Sequence, residues 1–256
     1  MLCFLDVETL PCSDPDLLAD ISDEINKKTQ QAMDEVKAPS NYKDKEKIEG
    51  YISAAKLQLS LEADAKIKEA VHKTGFSGLY GSIACICYAI DDGEVFSVSV
   101  DTSVSESSML ANFYGHLTEL TSIESHRGMV MSPLTFVGHN LIAFDLPFIK
   151  HRSIINRVCP PASVRKAFDA KPWGGEVADT MLMWSADKEK RASMDKLCKA
   201  FGIPGKGDFD GSMVAETWPT DPVKVISYCA DDVRRTREMY KRLTFDFGQK
   251  SLLKAA

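Results

Sequence analysis

The N-terminal stretch is a short apolar run that two acidic residues interrupt. Leu2–Leu5 is a short continuous apolar run, which is typical of a strand buried on both faces. Asp6 and Glu8 follow at a spacing of two, so a strand would present both carboxylates on one face. Two neighbouring anions on a largely buried strand repel each other, and a bound divalent cation with oxygen ligands relieves this repulsion. The alternative is the solvated end of a surface hairpin, and this stretch alone does not decide between them.

A helical pattern replaces the strand pattern directly after Pro11. From Cys12 to about Lys73 the chain is rich in Lys, Glu, Asp and Ala, and Asp14-Pro15 is a typical helix start. The apolar spacing predicts three helices, over about 14–36, 48–59 and 62–71. Because strand patterns flank this region on both sides, we interpret about 12–80 as a helical insertion within a single domain covering 1–256.

The remaining chain mixes strand and helix patterns. The predicted strands are Ile83–Ile90, Glu94–Val100, Leu134–Val137 and Val177–Asp179. The predicted helices are Ser107–Leu120, Asp145–Arg152, Ser193–Phe201, Asp210–Glu216 and Asp221–Leu243. Three strands with hairpin-type connections, followed by alternating helix and strand, predict an α/β ribonuclease-H-like mixed sheet flanked by helices. The insertion then lies between the first two strands.

Composition and charge limit which partners and which cellular compartment we expect for this protein. The net charge of −6 argues against a general polyanion binder, so any nucleic-acid contact must come from a local basic region. The seven cysteines include no C-x-x-C, and Cys85 and Cys87 alternate as one face of a strand does, which indicates reduced, buried thiols. The start lacks a signal-peptide pattern, and no apolar run approaches membrane-spanning length. We expect a soluble cytoplasmic protein without membrane contact.

Two further groups of polar residues lie where strands and helices end or begin. Gly138-His139-Asn140 follows a predicted strand, and Asp145 comes shortly after it, as a ligand-binding residue or as a helix N-cap. On the last helix Tyr228 and Asp232 are four residues apart and share one face, whereas Asp231 points elsewhere. A Y-x-x-x-D pattern alone also occurs by chance in many helices.

Together, FLDVETLP, GHNLIAFDLPFI and YCADDVRRTREMY resemble the motifs of the DEDD superfamily of 3′–5′ exonucleases, in the tyrosine subgroup. The pattern is most similar to proofreading domains of family-B DNA polymerases, and to related stand-alone exonucleases, many of them phage-encoded. The resemblance assigns Asp6, Glu8, Asp145, Tyr228 and Asp232 as catalytic residues. The histidine subgroup would need a histidine where Ser227 stands. Asp179-Thr180 and Met194–Gly211 are weaker matches. A phage-encoded chain would act in the host cytoplasm.

The resemblance also implies a mechanism. Two divalent cations, Mg²⁺ or Mn²⁺, would be held by Asp6, Glu8, Asp145 and Asp232, and Tyr228 would orient the attacking water. Neighbouring residues are expected to contact the last nucleotides: Thr9, Leu10, His139, Asn140 and Phe144. Loop capping by Asn140 and core packing by Phe144 are the alternatives. Basic side chains that either track phosphates or are merely solvated are Lys150, Arg152, Arg234, Arg235 and Arg237.

These assignments predict a 3′–5′ exodeoxyribonuclease that acts on single-stranded DNA, and on frayed duplex ends, and releases nucleoside 5′-monophosphates. Three alternatives stay open. The first is an exoribonuclease on short RNA, because no residue is assigned to the 2′-hydroxyl. The second is a catalytically silent module that binds nucleic acid or a replication protein. The third is an endonuclease with the same fold. Protein partners are not identified by the sequence.

The insertion offers a local basic and aromatic surface, since Lys43, Lys45 and Lys47 lie beside Asn41-Tyr42. We expect it to guide a single strand, although a helical hairpin that only covers the sheet or contacts a partner is equally compatible. Replacing the three lysines with glutamine should raise KM for long single strands and flatten its salt dependence, with short oligomers less affected. An unchanged KM and salt slope on long strands would leave the insertion without a substrate role.

Overall fold

The N-terminal apolar run forms the central strand of a mixed sheet in the computed structural model, which describes residues 1–125, 128–205 and 207–247. The strands are β1 (Leu2–Leu10), β2 (Ser82–Ile90), β3 (Phe96–Ser99), β4 (Ser122–Ser125), β5 (Gly128–Met131), β6 (Thr135–Gly138) and β7 (Val177–Asp179). The helices are α1 (Pro15–Glu35), α2 (Lys45–Thr74), α3 (Glu106–Thr121), α4 (Asp145–Ile155), α5 (Ala162–Phe168), α6 (Thr180–Trp184), α7 (Met194–Phe201), α8 (Val214–Thr217) and α9 (Pro222–Leu243).

The sheet places β1 between an antiparallel and a parallel neighbour. Within the described residues its order is β3-β2-β1-β6-β7. β1 runs antiparallel to β2 and parallel to β6, and the edge strands β3 and β7 continue these two directions. Helices cover both faces of the sheet, so the predicted α/β fold with a mixed sheet flanked by helices is confirmed.

The two faces of β1 differ in chemistry. Cys3, Leu5 and Val7 point into an apolar cluster formed with α3 and α4. Phe4 points the other way, into a second cluster that α9 covers. Because side chains alternate along a strand, Asp6 and Glu8 share the face of Phe4 and lie under α9. The strand therefore separates an apolar face from a face that carries the acids.

The chain divides into two units, of which one is Met1–Leu10 with the chain from Ser82 onward, and the other is Pro11–Gly81. The second unit consists of α1 and α2, and Asp14 caps α1 as predicted, accepting from the backbone N–H of Asp16 at 2.9 Å. Lys43, Lys45 and Lys47 are exposed. No helix among the residues described here is both long and apolar enough to cross a bilayer.

Several element predictions were wrong in detail. The helices expected over 48–59 and 62–71 are one continuous helix, α2, because neither proline nor glycine interrupts the chain between them. The helix expected over Asp210–Glu216 is a 3₁₀ turn, Gly211–Met213, followed by the single turn α8. Another 3₁₀ turn, Lys188–Lys190, precedes α7. The sequence pattern also missed the β4–β5 hairpin and the short helices α5 and α6.

The close packing around Gly138, the last residue of β6, can be tested by substitution. A Cβ at this position would lie 2.8 Å from the Cβ and Cδ1 atoms of Leu141, which is fully buried. Gly138→Ala should therefore lower the free energy of unfolding by about 1–3 kcal/mol, as measured by chemical denaturation. Gly115→Ala in α3 is the control, because its Cβ meets no atom within 4 Å and alanine favours a helix. Equal stabilities of the two variants would contradict this packing.

Candidate functional site

Asp6 and Glu8 form the first part of the site, on β1 beneath α9. Both are half-buried, and one carboxylate oxygen of each lies within 4.8 Å of the other and of the Cys229 Sγ atom on α9. The pairing of β1 with β2 shifts register between Glu8 and Thr9, and such a bulge re-aims the side chains beside it. The two acids thus converge at the point where regular pairing changes.

Asp145 joins this pair from a distant part of the chain. It is the first residue of α4, and Phe144 occupies the cap position without a side-chain cap bond, so Asp145 is not the N-cap. Its Oδ1 atom instead accepts a hydrogen bond from the backbone N–H of Val7 at 3.2 Å. Val7 lies between Asp6 and Glu8, so this bond brings the third acid to the acidic strand.

The Asp145 carboxyl is in an environment that disfavours its charge. Its side chain is 4% exposed, and burial raises its pKa to about 7, with the charges of Asp179 and Asp232 adding to the rise. Hydrogen bonds from backbone N–H groups, including that of Val7, act in the opposite direction. Several carboxylates therefore share one buried region, which a cation would stabilise.

The last helix carries Tyr228 and Asp232 on its buried side. Both are buried, whereas Asp231 is half-buried and pairs with Arg234 at 2.6 Å. The helix is tied to β1 by the Cys229 thiol, which donates to the backbone oxygen of Asp6 at 3.4 Å. α9 therefore presents the face that carries Tyr228 and Asp232 to the strand that carries Asp6 and Glu8.

An arginine accompanies Asp232. The Arg235 Nη1 atom lies 2.7 Å from the Asp232 Oδ1 atom, and both side chains are largely buried. Arg235 also donates to the backbone oxygens of Pro204 and Gly205, at 3.1 and 3.0 Å. The guanidinium thus compensates part of the Asp232 charge and is itself held by the loop that follows α7.

The turn after β6 holds His139 and Asn140 by hydrogen bonds within the protein. The His139 Nδ1 atom bonds to the Thr180 hydroxyl at 2.9 Å. Asn140 has φ +67°, a left-handed conformation that asparagine tolerates better than most residues, and its backbone N–H donates to Asp179. For Asn140 the structure shows a backbone contribution to the loop, and substrate contact by either side chain stays a prediction.

Three other residues predicted to contact substrate lie at the edges of the two apolar clusters. The Phe144 ring centroid is 5.7 Å from that of Phe148 and packs against the cluster under α3 and α4, which agrees with the core-packing alternative. Leu10 packs against the cluster under α9, and Thr9 is half-buried beside it. Their contact with a nucleotide stays a prediction.

Asp179 is the buried acid whose role the sequence did not reveal. It ends β7, is 4% exposed, and accepts hydrogen bonds at 3.0 Å from three backbone N–H groups, those of Asn140, Ile142 and Met181. It thereby fixes the turn that leads to Asp145. The weak Asp179-Thr180 match, directly after a short apolar strand, was the signal that could have identified it.

The five basic residues considered as a phosphate track all bond to protein groups. Their partners are Asp169 for Lys150, Glu106 for Arg152, Asp231 for Arg234, Asp232 for Arg235 and the backbone oxygen of Gly93 for Arg237. The Arg152–Glu106 pair is largely buried, so it is a structural contact. We therefore do not assign these five side chains to the phosphates.

A cleft beside Tyr228 contains residues that sequence reasoning missed. It has a volume of about 350 Å³, and its lining includes Phe209, Lys224, Tyr228, Asp231 and Arg235. The Phe209 ring contacts the Tyr228 ring edge-on, with centroids 5.0 Å apart, and the Lys224 ammonium lies 5.1 Å from the Phe209 centroid. The cleft places the Lys224 ammonium next to the candidate site, and its lining also includes the acids Asp221 and Asp231.

The chain belongs to a family described as a predicted 3′–5′ exonuclease related to the exonuclease domain of PolB, whose model matches residues 79–252, more than half of the chain. The matched range includes Asp145, Tyr228 and Asp232 but begins after β1, so it does not cover Asp6 and Glu8. The predicted relationship to family-B polymerases is confirmed at this level. The tyrosine subgroup and a phage origin stay predictions.

A solved structure shares the fold. The family B DNA polymerase from the hyperthermophilic archaeon Pyrobaculum calidifontis is similar with a TM-score of 0.50 and 17% sequence identity, over 66% of this chain. The chain spans 22% of that polymerase's length. No curated protein matches the chain. The structural likeness agrees with the predicted ribonuclease-H-like fold.

The contacts of Asp179 predict a large effect on stability. Asp179→Ala leaves three backbone N–H groups without their acceptor and should lower the free energy of unfolding by about 2–4 kcal/mol, measured by chemical denaturation. Asp187→Ala is the matched control, because this exposed aspartate caps a short 3₁₀ turn and its loss should cost about 1 kcal/mol or less. A loss at Asp179 no larger than at Asp187 would show that the turn does not depend on the carboxylate.

Proposed function

We propose that this chain is a 3′–5′ exodeoxyribonuclease that hydrolyses single-stranded DNA to nucleoside 5′-monophosphates. One observation carries the proposal. The Asp145 carboxylate accepts a hydrogen bond from Val7, 138 residues earlier in the chain, and so meets the strand that carries Asp6 and Glu8. The helix that carries Tyr228 and Asp232 packs on the same strand. Membership of the predicted 3′–5′ exonuclease family supports the reaction class.

Asp6, Glu8, Asp145 and Asp232 would hold two divalent cations, Mg²⁺ or Mn²⁺. The donor set fits hard cations, because carboxylate oxygens of Asp6 and Glu8 converge within 4.8 Å, and burial together with the charges of neighbouring acids raises the pKa of Asp145. When bound, the cations lower the pKa of the attacking water and stabilise the negative charge that develops on the leaving 3′ oxygen.

Tyr228 would orient the attacking water by a hydrogen bond from its hydroxyl. Its ring is buried and contacts the Phe209 ring edge-on, so the hydroxyl has a defined position. An ordinary phenol, with a pKa of about 10, is a poor base at neutral pH, which favours orientation over proton abstraction.

The cleft beside Tyr228 would receive the substrate strand. Lys224 would supply an ammonium group for the phosphates of the strand, and it is held over the ring of Phe209, which is itself buried. Since the chain carries a net charge of −6, such a local feature is needed to attract a polyanion. The relationship to the exonuclease domain of PolB supports DNA as the proposed substrate.

The proposal is tested with matched single-stranded DNA and RNA oligomers that carry a 5′ label, in Mg²⁺, Mn²⁺ or EDTA. We expect the DNA to shorten from its 3′ end one nucleotide at a time, faster than the RNA, and only with a divalent cation. Faster degradation of RNA would identify an exoribonuclease. Binding without degradation would identify a silent module, and cleavage of closed circular DNA an endonuclease.

Two adjacent aspartates on α9 give a matched pair of variants. Asp232→Asn should lower kcat by at least about a thousandfold, because it removes a charged ligand of the cations. Asp231→Asn, which changes a partly exposed ion pair with Arg234, should leave kcat within about threefold. Circular dichroism checks that both variants fold. The reverse ranking would show that the catalytic face of the helix is assigned wrongly.

A further inference from the structure

Three cysteines lie beside the acids on the same face of the sheet. In the antiparallel register of β1 and β2, Cys87 is opposite Asp6 and Cys85 is opposite Glu8. Directly opposite residues of an antiparallel pair point to the same face, with Cβ atoms about 4.5–5.5 Å apart. The proposed catalytic strand is therefore flanked by two thiols at the positions of its two acids.

Cys229 completes the group from above. It lies on α9, and the Sγ atoms of Cys85, Cys87 and Cys229 are all within 4.8 Å of one another. All three side chains are fully buried. The Cys229 thiol donates to the Asp6 backbone oxygen at 3.4 Å, and the Cys87 thiol donates to the Ile226 backbone oxygen at 3.6 Å. These weak bonds are the ones reduced thiols make.

Cys229 also connects the thiols to the acids. Its Sγ atom lies within 4.8 Å of carboxylate oxygens of both Asp6 and Glu8. The three sulfur donors therefore lie close together, and one of them, Cys229, also lies close to carboxylate oxygen donors. Tetrahedral Zn²⁺ with bonds to sulfur of about 2.3 Å needs sulfur atoms about 3.8 Å apart, so a small inward movement of the side chains would form this geometry.

We propose that Cys85, Cys87 and Cys229 form a second metal site, which binds a thiophilic divalent cation, Zn²⁺ or Cd²⁺, with Asp6 or Glu8 as the fourth ligand. Each coordinating thiol gives up its proton to solvent. The half-buried carboxylates provide the route of entry, because Cys229 is the thiol next to them. Soft sulfur ligands disfavour Mg²⁺, so this site and the carboxylate site select different metals.

Occupation of the thiol site inhibits the nuclease, since it withdraws a carboxylate from the acids that hold the catalytic cations. This consequence rests on the proposed function, whereas metal binding by the thiols does not. The two parts therefore need separate measurements, one of binding in the absence of substrate and one of nuclease activity.

Binding is measured by titrating the full chain with Cd²⁺ in the presence of Mg²⁺ and following the ultraviolet charge-transfer absorption of cadmium thiolates. We expect saturation at one equivalent. Cys87→Ala should weaken binding by at least about tenfold, since loss of even a supporting residue costs a metal site that much. Cys3→Ala, which removes a buried thiol from the other face of β1, should bind as the unchanged chain does.

Circular dichroism checks that Cys87→Ala folds. If it does not, Cys85→Ala replaces it as the variant of the three-cysteine site. Absence of a cadmium–thiolate band in the folded unchanged chain would overturn the site. Equal bands in the unchanged chain and in the cluster variant would do the same, because the thiolates would then come from other cysteines.

Inhibition is measured on single-stranded DNA in Mg²⁺ with added Zn²⁺. We expect Zn²⁺ to inhibit the unchanged chain and Cys3→Ala, while Cys87→Ala keeps its Mg²⁺ activity and needs at least about tenfold more Zn²⁺. Equal inhibition of all three would overturn the link between thiols and acids. A chain that is inactive in Mg²⁺ alone would refute the proposed function, and the cadmium titration would still decide the thiol site.

Discussion

The hydrogen bond from the backbone N–H of Val7 to the Asp145 carboxylate is the contact on which the candidate site depends. β6 pairs with β1 only as far as Phe4, so β1 continues beyond its parallel neighbour. The Val7 N–H lies in this continuation, and a buried N–H without an acceptor is costly. Asp145 supplies the acceptor, and the same bond fixes its distance from Asp6 and Glu8. The hydrogen bond that satisfies the backbone N–H of Val7 therefore also brings Asp145 to the strand that carries Asp6 and Glu8.

The alternation of β1 separates stability from chemistry. Cys3, Leu5 and Val7 build the apolar cluster under α3 and α4, and their side chains make no part of the charged group. The acids and thiols occupy the opposite face, where α9 covers them. A strand one residue out of register would exchange these faces and bury the acids in the larger cluster. Burial of the apolar face therefore fixes the strand register that keeps Asp6 and Glu8 on the opposite face, under α9.

Local rules identified much of this arrangement from the sequence, and contacts between distant segments account for the rest. The period of two placed Asp6 and Glu8 on one face, and helical spacing separated Asp232 from Asp231. The sequence did not show whether Asp145 caps its helix, because its hydrogen-bond partner, Val7, is far away in the chain. Asp179 was underestimated for the same reason, since its partners belong to another turn. The β4–β5 hairpin was missed because residues 128–130 of β5 are exposed and show no burial pattern.

The acids are held in the site by different contacts. Asp232 is already paired with Arg235, and the same guanidinium bonds to Pro204 and Gly205, so its position is set by the loop as well as by the charge. Asp6 and Glu8 face each other across less than 4.8 Å with a thiol as their shared neighbour. Two carboxylates at this separation repel each other, and a bound cation would relieve that repulsion. In the proposed mechanism Asp6 and Glu8 supply cation ligands on β1, and Asp232 contributes a ligand whose place is held by the fold.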